Sequence, residues 1–362
     1  MTADRLQRAA DQAGQARFDA LIVAPSADLV YLTGYDPPPL ERLTCLIARP
    51  GRSPVLLVPE LEGPLAESRR IGSLAEIVTW RETDDPYDLV RRLVGKGRRV
   101  ACSERMWALH LIGLQRALPQ AGFASASRIL GPLRAVKDAD EIGRLGRAAR
   151  YADEVFGRIT RSGLESATER DVARRLGDLL LEMGNDAITF TIVGSGPNGA
   201  SPHHQAGERT IQAGDALVMD FGGRAAGYCS DITRTVAVGR ADPEVREVHD
   251  VVREAQDRAL RAVRPGVAAQ EIDRAAREVI EQAGYGDRFV HRTGHGIGLE
   301  EHEQPYLVEG NEEPLRHGMC FSIEPGIYLP GRFGVRIEDI IAVTDDGGRS
   351  LNRASRELEV VP

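Results

Sequence analysis

At 362 residues and a formal net charge of −8, the chain is longer than one hydrophobic core usually serves, so two domains are expected. Its composition, 42% hydrophobic, 28% charged and 5% aromatic, is that of a packed globular protein and excludes long disordered stretches. The acidic balance leaves no general surface for neutralising phosphates, and no run approaches the roughly 18 apolar residues of a span, so neither a nucleic-acid nor a membrane partner is expected.

The first twenty residues hold no apolar signal region, which predicts a cytoplasmic protein. From residue 1 to about 130, short apolar runs at 21–23, 44–48, 55–58 and 100–102 are flanked by Pro, Gly or charge and read as strands of a small α/β domain. Four cysteines, Cys45, Cys102, Cys229 and Cys320, stand far apart with no CxxC pair, so they are expected as buried small side chains rather than a zinc finger or disulfide framework. The pattern breaks near Gly131-Pro132. Asp138 followed by Glu141 then predicts a helix start that opens an amphipathic segment to about Arg161. The expected domains are therefore 1–132 and 133–362.

The second region carries an internal echo. A helical segment at about 140–161, Ser162-Gly163 and a second helical run from Glu169 to Gly184 return as about 243–264, Pro265-Gly266 and a run from Glu271 to Gly284. Val172 and Ile272 each lie twelve positions before the closing glycine. Two α-α-β halves about a pseudo-twofold axis are expected. Strands are predicted at 188–193, 216–221, 232–238, 319–323 and 335–343.

Three elements carry chemistry. In VMDFGGRAAGYCSDITRT, Asp220 and Asp231 flank a turn containing Gly222, Gly223 and Gly227, and a hairpin there brings the two carboxylates together. Turn-flanking aspartates that merely cap or solvate fit that element equally well. HRTGHGIGLEEHEQP holds His291, His295 and His302, a density of imidazoles that suits metal ligation or acid-base work, with glycines for close backbone approach. In SIEPGIYLPGRFGVRIEDI, Glu324 follows an apolar strand and Glu338 sits inside the next one, where a carboxylate is expensive unless paired with a cation or metal. Taken alone, Glu338 also fits a solvent-facing strand position. Four carboxylates with imidazole suit a pair of Mn²⁺, Co²⁺ or Zn²⁺ ions better than one structural zinc.

In this order the three elements resemble the pita-bread metallopeptidases, the family of methionine aminopeptidase, aminopeptidase P and prolidase. The resemblance covers about 135–362 and implies Asp220, Asp231, His295, Glu324 and Glu338 as ligands of two divalent ions, with Asp231 and Glu338 shared by both, Asp220 on one ion and His295 and Glu324 on the other. Mn²⁺ is the expected metal. His203, in TIVGSGPNGASPHH, together with His291, His302 and Arg336, matches proline-specific members, whereas His204 is expected to be incidental. The first 130 residues look like the creatinase-like amino-terminal domain of the aminopeptidase P and prolidase branch. The implied fold is α/β (α+β), a small α/β domain before a pseudo-twofold pita-bread catalytic domain.

The implied activity is metal-dependent hydrolysis of the Xaa-Pro bond by a homodimer, on a small peptide with proline second. An Xaa-Pro dipeptidase is the first reading and an Xaa-Pro aminopeptidase on longer peptides the alternative. A metal-free creatinase-like hydrolase and a non-catalytic binding protein stand further back. His302 or His291 is expected to stabilise the oxyanion and Glu324 to carry the proton to the proline nitrogen. The segment between Glu324 and Glu338 is short, and the charged stretch YDPPPLERLT offers Asp36 and Arg42 as a clamp for the two ends of a dipeptide.

Overall fold

The structure, a computed structural model, describes residues 2–362. The chain divides into two units, Met1–Arg134 and Ala135–Pro362.

In unit 1 the helices are α1 (Thr2–Gln15), α2 (Ala27–Thr33), α3 (Gly63–Ser68), α4 (Pro86–Val94), α5 (Ala108–Ala117) and α6 (Ser127–Ala135), and the strands are β1 (Ala20–Val23), β2 (Cys45–Ala48), β3 (Val55–Pro59), β4 (Glu76–Trp80), β5 (Arg99–Cys102) and β6 (Gly122–Ser125). They form one sheet in the order β4-β3-β2-β1-β5-β6. The four inner strands are those of the apolar runs, because a strand covered on both faces reads as continuous hydrophobic sequence. β4 and β6, the edges, lie outside those expectations: β4 is half-exposed and β6 largely exposed, so neither reads as a continuously buried apolar run. α6 runs through Gly131-Pro132 rather than ending there, and the chain divides just beyond, after Arg134. Proline there removes one helical hydrogen bond, offset by the burial of Ile129, Leu130, Leu133 and Ala135. All four cysteines are buried and free.

Unit 2 contains α7 (Ala139–Ile159), α8 (Glu169–Glu182), β7 (Ala187–Ser195), β8 (Ala216–Ala225), β9 (Tyr228–Cys229), β10 (Ile232–Val238), α9 (Pro243–Ala262), α10 (Ala269–Gln282), β11 (Gly294–Gly296), β12 (Glu303–Leu307), β13 (Cys320–Ile323), β14 (Gly326–Leu329), β15 (Phe333–Arg336), β16 (Asp339–Thr344), β17 (Gly347–Ser350) and β18 (Val360–Val361). α7 opens on the expected capping box, with Asp138 and Glu141 each accepting the other's backbone N–H. One sheet runs β18-β10-β8-β7, with β9 paired to β8, and the other runs β12-β11-β13-β16-β17.

The echo in the sequence has a counterpart here. α8 and α10 are both 14 residues long and start exactly one hundred positions apart. Each is followed by a left-handed glycine, Gly184 at φ 98° and Gly284 at φ 85°. Val172 and Ile272 are fully buried, each in the core of its own half.

Two expectations need correction. Of the three hairpin glycines, only Gly227 lies in the turn, with φ 84°; Gly222 and Gly223 belong to β8. The run 335–343 is two strands, not one. β15 pairs with β14 and β16 with β13, so the chain changes partner between Arg336 and Asp339, and Glu338 stands at that changeover, bridged to Thr233.

Candidate metal centre

β8 and β10 pair antiparallel with Asp220 opposite Thr233, and Asp231 immediately precedes β10, so the hairpin does bring both aspartates to one end of the sheet. His295 is the middle residue of β11, Glu324 follows the end of β13, and Glu338 is delivered by the changeover. The glycines around His295 serve the sheet rather than a ligand: a Cβ at Gly294 would lie 2.0 Å from the Ser322 carbonyl oxygen, and one at Gly296 would lie 2.2 Å from that of Gln304. Only glycine lets the neighbouring strands approach so closely.

These side chains line one cavity of about 440 Å³ within unit 2, together with His203, His291, His302 and Arg336. Every candidate residue from the catalytic elements thus reaches the same place. Asp36 and Arg42 belong to unit 1, where Arg42 pairs with Glu41 at 2.8 Å and lies 3.8 Å from Glu82.

Single ligand atoms from Asp231, His295 and Glu338 all lie within 4.8 Å of one another. His295 Nε2 is 3.7 Å from Asp231 Oδ2 and 3.2 Å from Glu324 Oε1. The His295 Nδ1 lies 3.2 Å from the Gly296 carbonyl, which can only accept, so the proton sits on Nδ1 and the Nε2 lone pair faces the carboxylates. This is how a metal-bound imidazole is oriented. Asp220 Oδ1, Asp231 Oδ1 and Glu338 Oε1 are buried without a hydrogen-bond partner, which is costly unless a cation satisfies them. Burial, then the neighbouring carboxylates, pushes Asp231 and Glu338 well above the usual carboxylate range. Asp220 is raised chiefly by burial, with the Arg336 guanidinium opposing. Glu324 goes the other way, held below the usual carboxylate range against its burial by the neighbouring His295, His291 and Arg336. A crowded, dry carboxylate set with orphaned oxygens and one correctly turned imidazole fits divalent metal ions.

Around the candidate ligands lies a layer of which the sequence named only Arg336. Thr233 Oγ1 donates to Glu338 Oε2 at 2.7 Å, and Ser322 Oγ donates to Glu324 Oε1 at 3.2 Å. Arg336 donates to Asp220 Oδ2 at 2.5 Å, to Thr233 Oγ1 at 3.0 Å and to the Tyr328 hydroxyl at 2.7 Å. Thr233 was within reach of a period-two reading, since it lies two positions after Asp231. Tyr328 carried no sequence signal; it meets Arg336 because the segment between Glu324 and Glu338 is the β14–β15 hairpin, which pairs Gly326 with Arg336.

The histidines divide by what holds them. His291 Nδ1 lies 2.8 Å from the Arg292 carbonyl and Nε2 lies 2.8 Å from the Tyr328 hydroxyl, so both of its nitrogens are engaged. Arg292 lies 3.3 Å from His302 Nδ1; a guanidinium only donates, so His302 carries its proton on Nε2. Burial holds the His302 imidazole down to about 4, so it is neutral. His203 lines the cavity beside Pro202, Phe190 and Ile192, whereas His204 turns away and donates to Glu169 at 2.8 Å.

Comparison with known proteins agrees with this geometry. Residues 143–345 match the model of Metallopeptidase family M24, and residues 5–136 match that of the Creatinase/Prolidase N-terminal domain. The chain is 42% identical to the "Probable dipeptidase PepE" of Mycobacterium tuberculosis, over 99% of this chain and 96% of that one. It is 35% identical to the Xaa-Pro dipeptidase of Lactobacillus helveticus over 100% and 99% of the two chains. The crystal structure of dipeptidase PepE from Mycobacterium ulcerans superposes with a TM-score of 0.95 at 42% identity, covering 100% of this chain and 98% of that one. The family match across the catalytic unit, on a fold shared from end to end with these peptidases, makes this chain an enzyme of metallopeptidase family M24.

Proposed function

We propose that the enzyme hydrolyses Xaa-Pro dipeptides with a pair of divalent ions that Asp220, Asp231, His295, Glu324 and Glu338 would hold. The observation that carries this reading is the convergence of Asp231, His295 and Glu338 within 4.8 Å, beside orphaned oxygens, in a cavity that also holds His203, His291, His302 and Arg336. The names of the relatives, dipeptidases and an Xaa-Pro dipeptidase, support the substrate class.

When bound, such a pair supplies Lewis acidity and a water that ionises near neutral pH. The protein's own groups do the rest. Glu324, ionised at neutral pH, takes the proton of the attacking water and passes it to the imide nitrogen, which has no hydrogen of its own. His302, with its proton on Nε2 and its ring centroid 3.9 Å from that of His295, donates to the oxygen where negative charge develops. His291, fixed on both sides, holds Tyr328 and through it Arg336. Arg336 neutralises Asp220, which keeps that carboxylate ionised as a ligand. Phe190, Ile192 and Pro202 give the cavity an apolar wall suited to a hydrocarbon ring. Arg292, a lining cation outside the buried Arg336 network, suits a free C-terminal carboxylate, and this favours dipeptides over longer peptides. Mn²⁺ as the working metal, a homodimer and a cytoplasmic location complete the reading; no helix among the described residues is long and apolar enough to cross a membrane.

The test is cleavage of Ala-Pro against Ala-Pro-Ala by chelator-stripped protein resupplied with Mn²⁺, Co²⁺ or Zn²⁺. Metal-dependent hydrolysis of Ala-Pro alone is expected. A preference for the tripeptide would move the activity to an Xaa-Pro aminopeptidase, and inertness toward both peptides would remove proline specificity.

A further inference from the structure

We infer that Glu169, outside the metal centre, is a positioning residue that holds the pocket loop 195–207 so that His203 and Pro202 form the substrate wall. Its side chain is fully buried, and everything around it donates. The Ser195 backbone N–H and hydroxyl lie 2.8 and 2.7 Å from Oε1. Asn198 Nδ2 reaches both oxygens at 3.0 and 3.1 Å, His204 Nε2 reaches Oε2 at 2.8 Å, and the Gly207 N–H reaches it at 3.3 Å. The loop is therefore gripped at its start, middle and end by one carboxylate. Arg209 braces the same point, donating to Ser195 Oγ at 2.5 Å while paired with Asp215 at 2.6 Å.

The helix does not need this acid. Glu169 is the first residue of α8, and one hundred positions later α10 opens on Ala269 with the same length. An acid at a helix start gains only a modest interaction with the helix dipole, which does not account for a buried carboxylate with this many donors. What differs between the halves is the loop. The second half tethers its own histidine segment from inside its helix instead: Asp273 accepts the Thr293 N–H at 2.9 Å, and Arg277, paired with Asp273, donates to the carbonyl oxygens of Phe289 and His291 at 3.0 and 2.7 Å. The adjacent pair His203-His204 fits this division of labour, with one ring on the tether and its neighbour on the cavity wall.

The kinetic arm of the test rests on the proposed Xaa-Pro hydrolysis, and the second arm does not. In metal-replete Glu169→Gln, the amide nitrogen turns a donor toward donors, so KM for Ala-Pro should rise roughly tenfold with kcat within about threefold. In a His203→Ala background the same change should add little to KM, because both act through one wall. Amide hydrogen exchange in peptides spanning 195–207 should accelerate at least about tenfold, with β8 and β10 unchanged. His204→Gln, which removes a single contact, should show a smaller rise in KM and exchange and serves where Glu169→Gln fails to fold. Unchanged exchange in the loop would overturn the inference whatever the substrate proves to be. So would a loss confined to kcat or to thermal stability. Faster loop exchange in a protein that cleaves no Xaa-Pro dipeptide would keep the tether and remove the substrate.

Discussion

The two units treat charge differently. Among the described residues, the only buried Asp, Glu, Lys or Arg of unit 1 is Arg134, paired with Asp28 at 2.7 Å, while unit 2 buries Lys137, Glu169, Asp220, Asp231, Arg234, Asp273, Arg336, Glu338 and Asp339, among others. Unit 1 keeps its interior apolar, with β1, β2 and β3 buried along their whole length. A buried charge costs several kcal/mol, so an interior holding many of them is organised around something other than stability. The contrast points to the chemistry before any motif is named: Asp339, paired with Arg234 at 2.7 Å, is framework, whereas Asp220, Asp231 and Glu338 each leave a buried oxygen without a partner at the candidate metal centre, Asp220 even with Arg336 on its other oxygen.

The contrast is broken most directly at its extreme. Asp231→Asn and Glu338→Gln should each lower kcat for Ala-Pro by about a thousandfold or more and reduce bound metal below two ions per chain; elemental analysis beside the assay checks this, and a variant that keeps both ions and full rate would contradict the ligand assignment. Arg336→Leu strands Asp220 without its cation. In metal-stripped protein it should cost about 3–5 kcal/mol in urea unfolding, with much of that loss recovered when Asp220→Leu is added; equal losses in the single and double variants would mean the pair does not matter. In unit 1 the same experiment should look ordinary: Leu56→Ala should cost about 2–5 kcal/mol through the cavity it leaves, with metal content and KM unaltered.

A subtler test uses His249, buried in α9 with its Nδ1 unpartnered. Burial holds its imidazole down to about 4, from an ordinary 6.5. Because the folded value is the lower one, the unfolded chain takes up a proton between those values that the folded protein refuses. Stability contributed by this site is therefore complete above about pH 6.5 and falls as the pH drops toward 4. The difference between wild type and His249→Leu should change by up to about 3 kcal/mol between pH 7 and pH 4; a pH-independent difference would show that the ring titrates normally. The smallest effect is expected at the unit 1 loop, where alanine at both Asp36 and Arg42 should shift the Ala-Pro to Ala-Pro-Ala preference a few-fold, and an unchanged preference removes the clamp.

Much of this architecture is legible in the sequence because its signals are local. The inner strands announce themselves as apolar runs, α7 through its Asp138 and Glu141 cap, and the repeat through glycines spaced one hundred apart. The side chains that reach the cavity are legible for a different reason: carboxylates and imidazoles cluster in three elements, and the resemblance to the pita-bread metallopeptidases, rather than the residues alone, singles out the ligand set, His203 and Arg336. What stays hidden depends on contacts distant in the chain. Tyr328 meets Arg336 and His291 only once the hairpin forms, β4 and β6 pair as half-exposed edges without a pattern of their own, and Glu338 owes its place to a change of strand partner that an unbroken apolar run conceals. Helix α6 hides its proline for the same reason, because burial outweighs the lost hydrogen bond.

The neighbouring rings of His203 and His204 have a consequence for how the loop tolerates insertion and deletion. With the backbone anchored at Ser195 and again at Gly207, deleting one residue between Ser195 and His203 would carry His204 to the cavity wall and leave the tether without a ring to hold. Length at this loop is constrained as tightly as identity, and homologous loops that differ by one residue must either move the histidine or rebuild the anchor.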